Sequence, residues 1–304
     1  MRVLLTGATG FAGGFILRRL LAEGMAVRAV ARRPIATRAG MELALIDDLA
    51  SAHWGALCAG VDAVVHAAAY AHDDRADPAM ILRTNRDATA ALAKAAAAAG
   101  ARFVFLSSIR AQAGVTASAP LHDDDRPQPD GPYGEAKLAA EAAIAAFCAD
   151  AVCLRVAPLY GPGVKGNLAS LYRLARTGLP LPFGAIRAQR SLLSVETVAE
   201  LVLTLLQKRR DLCGTFLAAE QGPLSLGEMI ATLRGHWGMS ARLIPIPANF
   251  VRALCLTLGQ PLLWARIGEP LIVSDDIRLR RECSWLFHST RDGLIRWAGQ
   301  DQRG

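Results

Sequence analysis

The first half of the chain alternates short apolar runs with longer helix-like segments. The apolar runs predict strands at 3–5, 26–31, 43–46, 63–66, 103–107, 151–156 and 215–219. The segments with helical character predict helices at 13–23, 80–99, 134–148, 168–177 and 195–208. Apolar strands that alternate with helices are typical of a parallel sheet covered on both faces. The pattern therefore predicts an α/β fold with a doubly wound parallel sheet.

The pattern changes after residue 157. Pro158, Gly161, Pro162, Gly163 and Gly166 mark a long loop there. We therefore predict a dinucleotide-binding domain made of 1–157 plus about 192–220. A smaller, mixed C-terminal region, about 158–191 plus 221–304, is predicted to bind the substrate.

The stretch 243–264 is apolar enough to raise the question of a membrane. Pro245, Pro247, Arg252, Gly259 and Pro261 interrupt it. No run of about 18 apolar residues is left to cross a bilayer. We predict no membrane span, and we expect a buried helix of the substrate region rather than membrane contact.

Composition narrows the class of protein further. Of the 304 residues, 52% are hydrophobic, which predicts a globular chain. Met1 leads directly into the first predicted strand without a secretion leader, so we expect a cytoplasmic protein. The six cysteines form no C-x-x-C pair, and we interpret them as reduced packing residues rather than metal ligands.

The net charge of +7 is unevenly distributed, because the first forty residues carry seven arginines and Glu23 is their single acidic residue. A nucleic-acid surface is the general interpretation of such a bias. These arginines, however, are interleaved with a strand-turn-helix pattern, and no aromatic stacking platform accompanies them. We therefore predict an anionic small ligand, such as a phosphorylated cofactor, and no nucleic-acid partner.

A glycine-rich turn follows the first predicted strand. Gly7, Gly10 and Gly13 have the spacing G-x-x-G-x-x-G and open a helix. Glycine lets a pyrophosphate approach the backbone, and the helix N-terminus supplies N–H donors to it. The turn, with Thr9 and Phe11, predicts a dinucleotide site of the Rossmann type.

The residues after the second strand indicate which dinucleotide binds. A site for NAD usually carries an acidic residue there to bind the ribose. No Asp or Glu occurs between Glu23 and Glu42, and the strand runs into Arg32 and Arg33. Guanidinium groups suit a 2′-phosphate, so NADP is favoured. If both arginines are solvated loop residues instead, NAD is the alternative.

Other positions around the predicted cofactor are small or polar. Asp48 and Leu49 follow the third strand, where they can meet the adenine. Ala67 and Ala68 follow the fourth strand and would let the cofactor approach closely. We interpret the neighbouring His66 as a structural residue rather than a catalyst.

Tyr133 and Lys137 lie four residues apart in a predicted helix. Such residues share a helix face, so the ammonium can lie near the phenol and lower its pKa. By itself the Tyr-x-x-x-Lys pattern is weak. Behind a dinucleotide-binding turn it indicates hydride transfer, with Tyr133 as the acid/base.

Together these residues resemble the extended short-chain dehydrogenase/reductase family, in its NAD-dependent epimerase/dehydratase branch. The resemblance covers nearly the whole chain. Its motifs are T-G-A-T-G-F-A-G (6–13), D-L (48–49), H-A-A-A (66–69), Asn85 in T-N-R-D-A-T, F-V-F-L-S-S (103–108), Y-G-E-A-K (133–137), L-R-V-A-P-L-Y-G-P-G (154–163) and R-S-L-L-S-V (190–195).

The resemblance implies roles for the residues at the catalytic centre. Tyr133 exchanges a proton with the sugar oxygen, and Lys137 binds the nicotinamide ribose and lowers the pKa of Tyr133. Ser108 binds the same sugar oxygen, with Ser107 as the less favoured neighbour. The remaining implied contacts are Asn85, Ala157 and Leu159 to the cofactor, and Asn167 and Arg190 to the diphosphate of a nucleotide sugar.

Two departures from the family pattern narrow the chemistry. Related 4,6-dehydratases carry an Asp-Glu pair where this chain has Ile109 and Arg110. Because arginine cannot act as a base, dehydration is not expected. The loop 111–114 also differs from that of galactose epimerases. The motifs F-L-S-S-I-R and Q-R-S-L-L-S-V are most similar to enzymes for UDP-linked N-acetylated 6-deoxyhexoses in polysaccharide biosynthesis.

Two reactions stay open within this resemblance. A 4-ketoreductase uses exchangeable NADPH, and a 4-epimerase of the UDP-glucose type retains its NAD. Arg32 and Arg33 favour the reductase. A non-catalytic dinucleotide sensor is less favoured, because it would not need Tyr133 and Lys137. The resemblance also implies a homodimer through the helices near 80–99 and 134–148.

Overall fold

The computed structural model describes residues 1–70 and 77–300. Its strands are β1 (Arg2–Thr6), β2 (Ala26–Ala31), β3 (Met41–Leu45), β4 (Ala63–His66), β5 (Arg102–Ser108), β6 (Val152–Val156), β7 (Leu159–Tyr160), β8 (Gln189–Arg190), β9 (Leu193–Ser194), β10 (Gly214–Ala218) and β11 (Leu224–Ser225). Its helices are α1 (Phe11–Ala22), α2 (Trp54–Cys58), α3 (Pro78–Leu82), α4 (Ala88–Ala98), α5 (Gly131–Phe147), α6 (Gly166–Arg176), α7 (Val195–Gln207), α8 (Leu226–His236), α9 (Ala248–Thr257), α10 (Pro261–Gly268), α11 (Arg278–Glu282) and α12 (Thr290–Gln300). The end of the predicted substrate region, 301–304, lies outside the described residues.

Seven strands form one parallel sheet in the order β10-β6-β5-β4-β1-β2-β3. The chain winds outward from β1 through β2 and β3, and then returns to β4 on the other side of β1. This reversal makes the sheet doubly wound and confirms the predicted α/β fold of the Rossmann type. In such sheets ligands bind beyond the carboxyl ends of the strands, next to the point of reversal. Thr6 ends β1 there, in register with His66 of β4.

Two predicted elements differ in detail. The third strand is Met41–Leu45 rather than 43–46. The predicted helix 80–99 is divided, because Arg83–Asp87 forms a π-helical turn between α3 and α4. Turns of this kind occur frequently at functional sites. Periodicity alone does not reveal them, because the apolar positions on both sides still fit a helix.

The core of the sheet is apolar on both faces, as expected for parallel strands. Phe103 and Phe105 of β5 are fully buried with Leu92 of α4 and Ile144 of α5. Burying a side chain of this size stabilises the fold by about 1.5–3 kcal/mol. The many alanines of α4 and α5 allow these helices to pack closely. The core thereby fixes the direction of α5, which carries Tyr133 and Lys137.

The chain divides into two compact units. The first comprises Met1–Gly114, Asp123–Val156 and Val195–Ala218. The second comprises Val115–His122, Ala157–Ser194 and Ala219–Gly304. The second unit contains two small sheets, β11 with β8 and β7 with β9. Its own core includes Tyr160, Tyr172, Leu233, Leu294 and Trp297.

The cysteines follow the packing prediction with one exception. Five are buried and unbridged: Cys58, Cys148, Cys153, Cys255 and Cys283. Burial raises the pKa of the Cys153 thiol to about 12, which suppresses the reactive thiolate. Cys213 departs from the prediction, because it is exposed. It immediately precedes β10, where packing no longer covers the chain.

The prediction of a buried helix within 243–264 is wrong for one face of the segment. The stretch contains α9 and the first half of α10, and the buried residues of these helices are Val251, Cys255 and Trp264. Large apolar side chains on both helices are exposed instead. Along 1–70 and 77–300, no helix is long and apolar enough to cross a membrane.

Candidate active site

The turn after β1 has the shape that a dinucleotide requires. Gly7 has a φ of 74°, and its carbonyl accepts a 2.8 Å hydrogen bond from the Gly10 amide. A Cβ at Gly7 would lie 2.6 Å from the backbone nitrogen of Ala68, and a Cβ at Gly13 would overlap the Gly7 carbonyl. Each of these two glycines therefore permits a close backbone approach that a side chain would block. The residues present fit the phosphate cradle of a dinucleotide.

The helix behind this turn begins without a polar side-chain cap. Gly10 is the N-cap of α1 and is extended. The first amides of a helix lack intrahelical partners and attract anions. Thr9 lies exposed in the turn, and Phe11 packs edge-on against Phe15 at 5.9 Å between ring centroids. The turn thus offers donors at its tip and apolar packing behind it.

A buried chain of hydrogen bonds connects β1 and β4 to the start of α4. The Ala68 amide donates to Thr6 Oγ1 at 3.2 Å, and Thr6 Oγ1 lies 2.6 Å from His66 Nδ1. His66 Nε2 lies 2.8 Å from Thr89 Oγ1, which donates to the Asn85 carbonyl at 2.8 Å. Because Thr89 donates onward, we assign the imidazole proton to Nε2.

The protonation state of His66 agrees with this chain of donors. Burial, helped by the nearby Lys137 charge, lowers the pKa of the His66 imidazole to about 3. A neutral ring with both nitrogens bonded is a structural element rather than an acid. The sequence interpretation of His66 is consistent with this arrangement. Thr6 and Thr89 had no sequence signal, because single threonines occur throughout such chains.

Asn85 holds the segment that follows β4. It lies buried in the π-helical turn, and its Oδ1 accepts the Tyr70 amide at 2.8 Å. Its Nδ2 donates to the Tyr70 carbonyl at 3.0 Å. The side chain therefore fixes the backbone beyond Ala67 and Ala68, which Gly7 contacts. Asn85 can therefore shape a cofactor site by positioning this backbone.

The residues predicted to select the cofactor lie at two strand ends. Arg32 and Arg33 are exposed directly after β2, and the structure gives neither one a hydrogen-bonded or ionic partner among the described residues. Asp48 accepts the Ala50 amide and pairs with Arg83 at 2.6 Å. Leu49 beside it is half-buried. The two guanidinium groups at the end of β2 are thus available to an anion.

Tyr133 and Ser108 meet where β5 ends and α5 begins. Burial raises the pKa of the Tyr133 phenol, whereas a hydrogen bond with Ser108 and the charge of Arg110 lower it. Ser108 Oγ also accepts the Arg110 amide at 3.2 Å. A hydroxyl with this partner keeps the phenol oriented at the carboxyl end of the sheet.

Lys137 lies one turn further along α5, deep in the fold. It is 2% exposed, donates from Nζ to the Leu106 carbonyl at 2.8 Å, and lies 4.3 Å from the Phe105 ring centroid. Burial lowers the pKa of its ammonium to about 7, although the negative charge of Glu141 acts to raise it. A small change in its surroundings can therefore change its protonation near neutral pH.

Arg110 supplies positive charge near the phenol that was not predicted from the sequence. The i,i+4 spacing predicts that Lys137 lowers the pKa of Tyr133. In the structure Arg110 lowers this pKa, and the Lys137 ammonium donates to the Leu106 carbonyl of β5. The effect of Lys137 on the phenol stays a prediction. Spacing on a helix face identifies a neighbour but not the direction of a flexible side chain.

Arg110 is held against the N-terminus of α5. Its Nη2 donates to Asp130 Oδ1 at 2.6 Å and to the Asp130 carbonyl at 3.0 Å. A Cβ at Gly134 would overlap the Arg110 carbonyl, so the helix approaches this turn at a glycine. The position after Ile109 thus carries a fixed cation.

A buried ionic network lies beneath the site. Glu141 pairs with Arg155 at 2.6 Å, and each side chain is less than a tenth exposed. Ser107 donates its hydroxyl to Glu141, and Arg155 also donates to Gln112. This network was not predicted from the sequence. The spacing of Glu141 four residues after Lys137, on the same helix face, was the available signal.

The remaining predicted residues belong to the second unit. Ala157 is buried, Leu159 opens β7, and Asn167 is exposed as the second residue of α6. Arg190 donates to the carbonyls of Ala265, Glu269 and Val115 at 2.8–3.2 Å. These bonds fix the guanidinium of Arg190.

This unit also contains a cavity of about 450 Å³ at the start of α6. Lys165, Arg173, Tyr172 and Trp297 are among the residues that line it. The walls therefore combine positive charge with aromatic surface, which suits an anionic ligand with a planar ring. Tyr133, Ser108 and Lys137 belong to the first unit and do not line this cavity.

Comparison with known proteins agrees with the fold and the motifs. The model of the NAD dependent epimerase/dehydratase family matches residues 3–215. The chain belongs to this family, and the resemblance deduced from its motifs is confirmed. It is therefore an enzyme of the short-chain dehydrogenase/reductase type.

Individual relatives illustrate the similarity. UDP-glucose 4-epimerase of Vibrio cholerae is 34% identical over 257 residues, which are 81% of this chain and 78% of that protein. The solved structure of MoeE5 in complex with UDP-glucose and NAD is 26% identical, with a TM-score of 0.74 and coverage of 100% of this chain and 99% of that one.

A third comparison concerns the fold alone. The crystal structure of UDP-N-acetylglucosamine 4-epimerase from Bacillus cereus has a TM-score of 0.76 at 22% identity and covers 100% of both chains. The architecture is thus shared along the whole chain at low sequence identity.

Proposed function

We propose that the protein is an NADPH-dependent 4-ketoreductase of a UDP-linked hexose, with an N-acetylated 6-deoxyhexose as the favoured sugar. The observation that carries the choice of a reductase is the exposed pair Arg32 and Arg33 at the end of β2. Two free guanidinium groups suit the 2′-phosphate that distinguishes NADP from NAD. The relatives named for UDP-sugars support the substrate class.

The chain's own residues supply the proton and the orientation for this reaction. Bound NADPH would supply the hydride to C4 of the keto sugar. Tyr133 then donates its phenolic proton to the oxygen on C4, and Ser108 hydrogen-bonds the same oxygen. Lys137 and Arg110 add positive charge near the phenol, which stabilises the phenolate left behind.

The site also favours reduction over dehydration. Elimination of water needs a carboxylic acid and a base beside the sugar, and Arg110 stands where the family's dehydratases carry one of them. Its guanidinium is paired with Asp130 at 2.6 Å and cannot act as a base. We further propose that Asn167 and Arg190 bind the diphosphate of the substrate through donated hydrogen bonds.

The second candidate is a UDP-hexose 4-epimerase. The 34% identity to the Vibrio cholerae UDP-glucose 4-epimerase favours it. An epimerase and a reductase share Tyr133, Ser108 and Lys137, so these residues do not separate the two reactions. They differ in the dinucleotide: an epimerase keeps it bound between turnovers, whereas a reductase must exchange it.

The test measures dinucleotide content and preference. A reductase leaves purification and dialysis without bound NAD and reduces a UDP-4-keto sugar faster with NADPH than with NADH. Arg32→Ala should weaken NADPH binding and leave NADH binding unchanged, with Arg38→Ala as a control in the same loop. Retained NAD, together with interconversion of UDP-hexoses without added cofactor, would instead establish the epimerase.

We also keep a homodimer through α4 and α5 as a proposal. Light scattering of the purified protein measures its mass directly. A mass of one chain would contradict the dimer without affecting the proposed reaction.

A further inference from the structure

The helices α9 and α10, with the turn between them, expose an unusual number of large apolar side chains. We call this set the leucine surface. Its members are Phe250, Leu254, Leu256, Leu258, Leu262 and Leu263. Three of them are more than half exposed: Phe250 at 71%, Leu254 at 59% and Leu258 at 66%. Large apolar side chains exposed together in one stretch of chain point to an interaction site.

The opposite side of the two helices is already used for packing. Val251, Cys255 and Trp264 are buried and cluster with Ile186 of the same unit. Trp264 also donates its indole N–H to Glu269 at 2.9 Å. The pair of helices is therefore anchored by one face, and the leucine surface is left for another molecule.

The charge around the leucine surface indicates what that molecule is. Residues 229–268 contain no Asp or Glu, although the chain as a whole has 27. Arg242 and Arg252 in this stretch are exposed. Arg252 lies on α9 one turn before Leu256, on the same helix face. Apolar side chains flanked by arginines complement an anionic lipid surface, where leucines enter the acyl boundary and arginines meet phosphates.

A second copy of the chain suits this surface less well. In a two-fold interface the same patch faces itself. Arg252 would then lie close to Arg252 of the second copy. Residues 229–268 contain no acid that could pair with either guanidinium. Like charges at a closed interface are unfavourable. An anionic bilayer has no such conflict.

We propose that the leucine surface docks the protein onto anionic lipid bilayers, lying on the membrane without crossing it. The lengths of α9, 10 residues, and α10, 8 residues, suit an interfacial position and are too short for a span. The proposal is independent of the reaction assigned to the active site.

Vesicle co-sedimentation of the full-length protein tests the proposal. The probes are vesicles of phosphatidylcholine alone and of phosphatidylcholine with phosphatidylglycerol. We expect binding to the second kind and little to the first. The variant Leu254→Gln/Leu258→Gln should lose about tenfold or more in affinity, because two inserted side chains become polar. Both substitutions keep the net charge, so nonspecific attraction of a protein with a charge of +7 is unchanged.

Leu179→Gln is the matched control, because Leu179 is also 59% exposed, in the same unit but outside α9 and α10. It should bind vesicles like the wild type. Arg252→Gln should weaken binding by about fivefold, an effect that salt removes. Circular dichroism establishes that each variant is folded.

Three results would overturn the proposal. The first is failure of the wild type to bind phosphatidylglycerol vesicles. The second is unchanged binding by the folded Leu254→Gln/Leu258→Gln variant. The third is a dimer, seen by light scattering, that this variant converts to a monomer while vesicle binding persists, which would assign the surface to a second copy.

Discussion

The two serines that end β5 occupy opposite environments although they are neighbours in the chain. Ser107 is 3% exposed and donates to Glu141, within the buried network with Arg155. Ser108 is half-buried and hydrogen-bonds Tyr133. Successive residues of a strand point to opposite faces, so one serine is directed into the fold and the other toward the proposed chemistry.

The difference shows that one side of β5 holds the site in place and the other side carries the proposed chemistry. The side of Ser107 contains a buried ion pair whose members also hydrogen-bond Ser107 and Gln112. The side of Ser108 contains a phenol whose pKa is raised by burial and lowered by Ser108 and Arg110. The buried side positions α5, and the open side performs the proton transfer.

The largest effect is expected on the open side, from Tyr133→Phe. Removing the phenolic hydroxyl removes the proton donor, and general acid catalysis of this kind contributes about 10²–10⁴-fold. We expect kcat to fall by that factor while NADPH binding, measured by fluorescence titration, is unchanged. Full turnover by this variant would contradict the assigned mechanism.

On the buried side, Glu141→Ala should act on stability. Removing one partner of a buried ion pair leaves Arg155 uncompensated and costs about 3–5 kcal/mol. Urea unfolding followed by circular dichroism measures this cost. Glu42→Ala is the control, because Glu42 pairs with Arg28 at 2.9 Å and is 53% exposed. Its loss should cost about 0–1 kcal/mol. Equal costs for the two variants would refute the difference between the two sides.

The two serines themselves give the sharpest contrast. Ser108→Ala should lower kcat by about tenfold or more, since a hydrogen bond to the reacting oxygen is lost. Ser107→Ala should lower the free energy of unfolding by about 1–3 kcal/mol and leave kcat nearly unchanged. Steady-state kinetics measure kcat of each variant, and urea unfolding measures the free energy of unfolding of each. The reverse pattern would exchange the roles of Ser107 and Ser108.

Much of this arrangement follows from the sequence. The spacing of Gly7, Gly10 and Gly13 indicates the turn because only glycine permits its backbone contacts. Alternation of strands and helices similarly predicts the sheet. The pair of Arg110 with Asp130 was not predictable, because the two residues are 20 positions apart and an intervening loop decides whether they meet. The exposed face of α9 was missed for a different reason: an apolar pattern indicates what a helix could bury, not whether a partner is present.

The smallest effect concerns the pH dependence set by Arg110. A reductase needs the Tyr133 phenol protonated, so activity falls when the phenol ionises at high pH. The Arg110 cation favours phenolate, so Arg110→Met should raise the pKa of Tyr133 and move the alkaline limb of kcat/KM to higher pH. Arg110→Lys, which keeps the charge, should leave the limb close to the wild type.

The other charged groups near Tyr133 are Asp130, which pairs with Arg110, and Lys137, which lies one turn along α5. Burial lowers the pKa of the Lys137 ammonium to about 7, well below that of the phenol, so a limb from Lys137 would lie near neutral pH in wild type and Arg110→Met alike. An alkaline limb that is identical in wild type and Arg110→Met would show that Arg110 does not act on Tyr133.

The central claim, hydride transfer to C4 of a UDP-linked keto sugar, is tested most directly by isotope transfer. The enzyme is incubated with NADPH deuterated at the transferable position and a UDP-4-keto-6-deoxyhexose, and the sugar product is analysed by mass spectrometry and NMR. The account predicts one deuterium at C4 for each NADPH consumed. A product without deuterium at C4, or no consumption of NADPH at all, would contradict it.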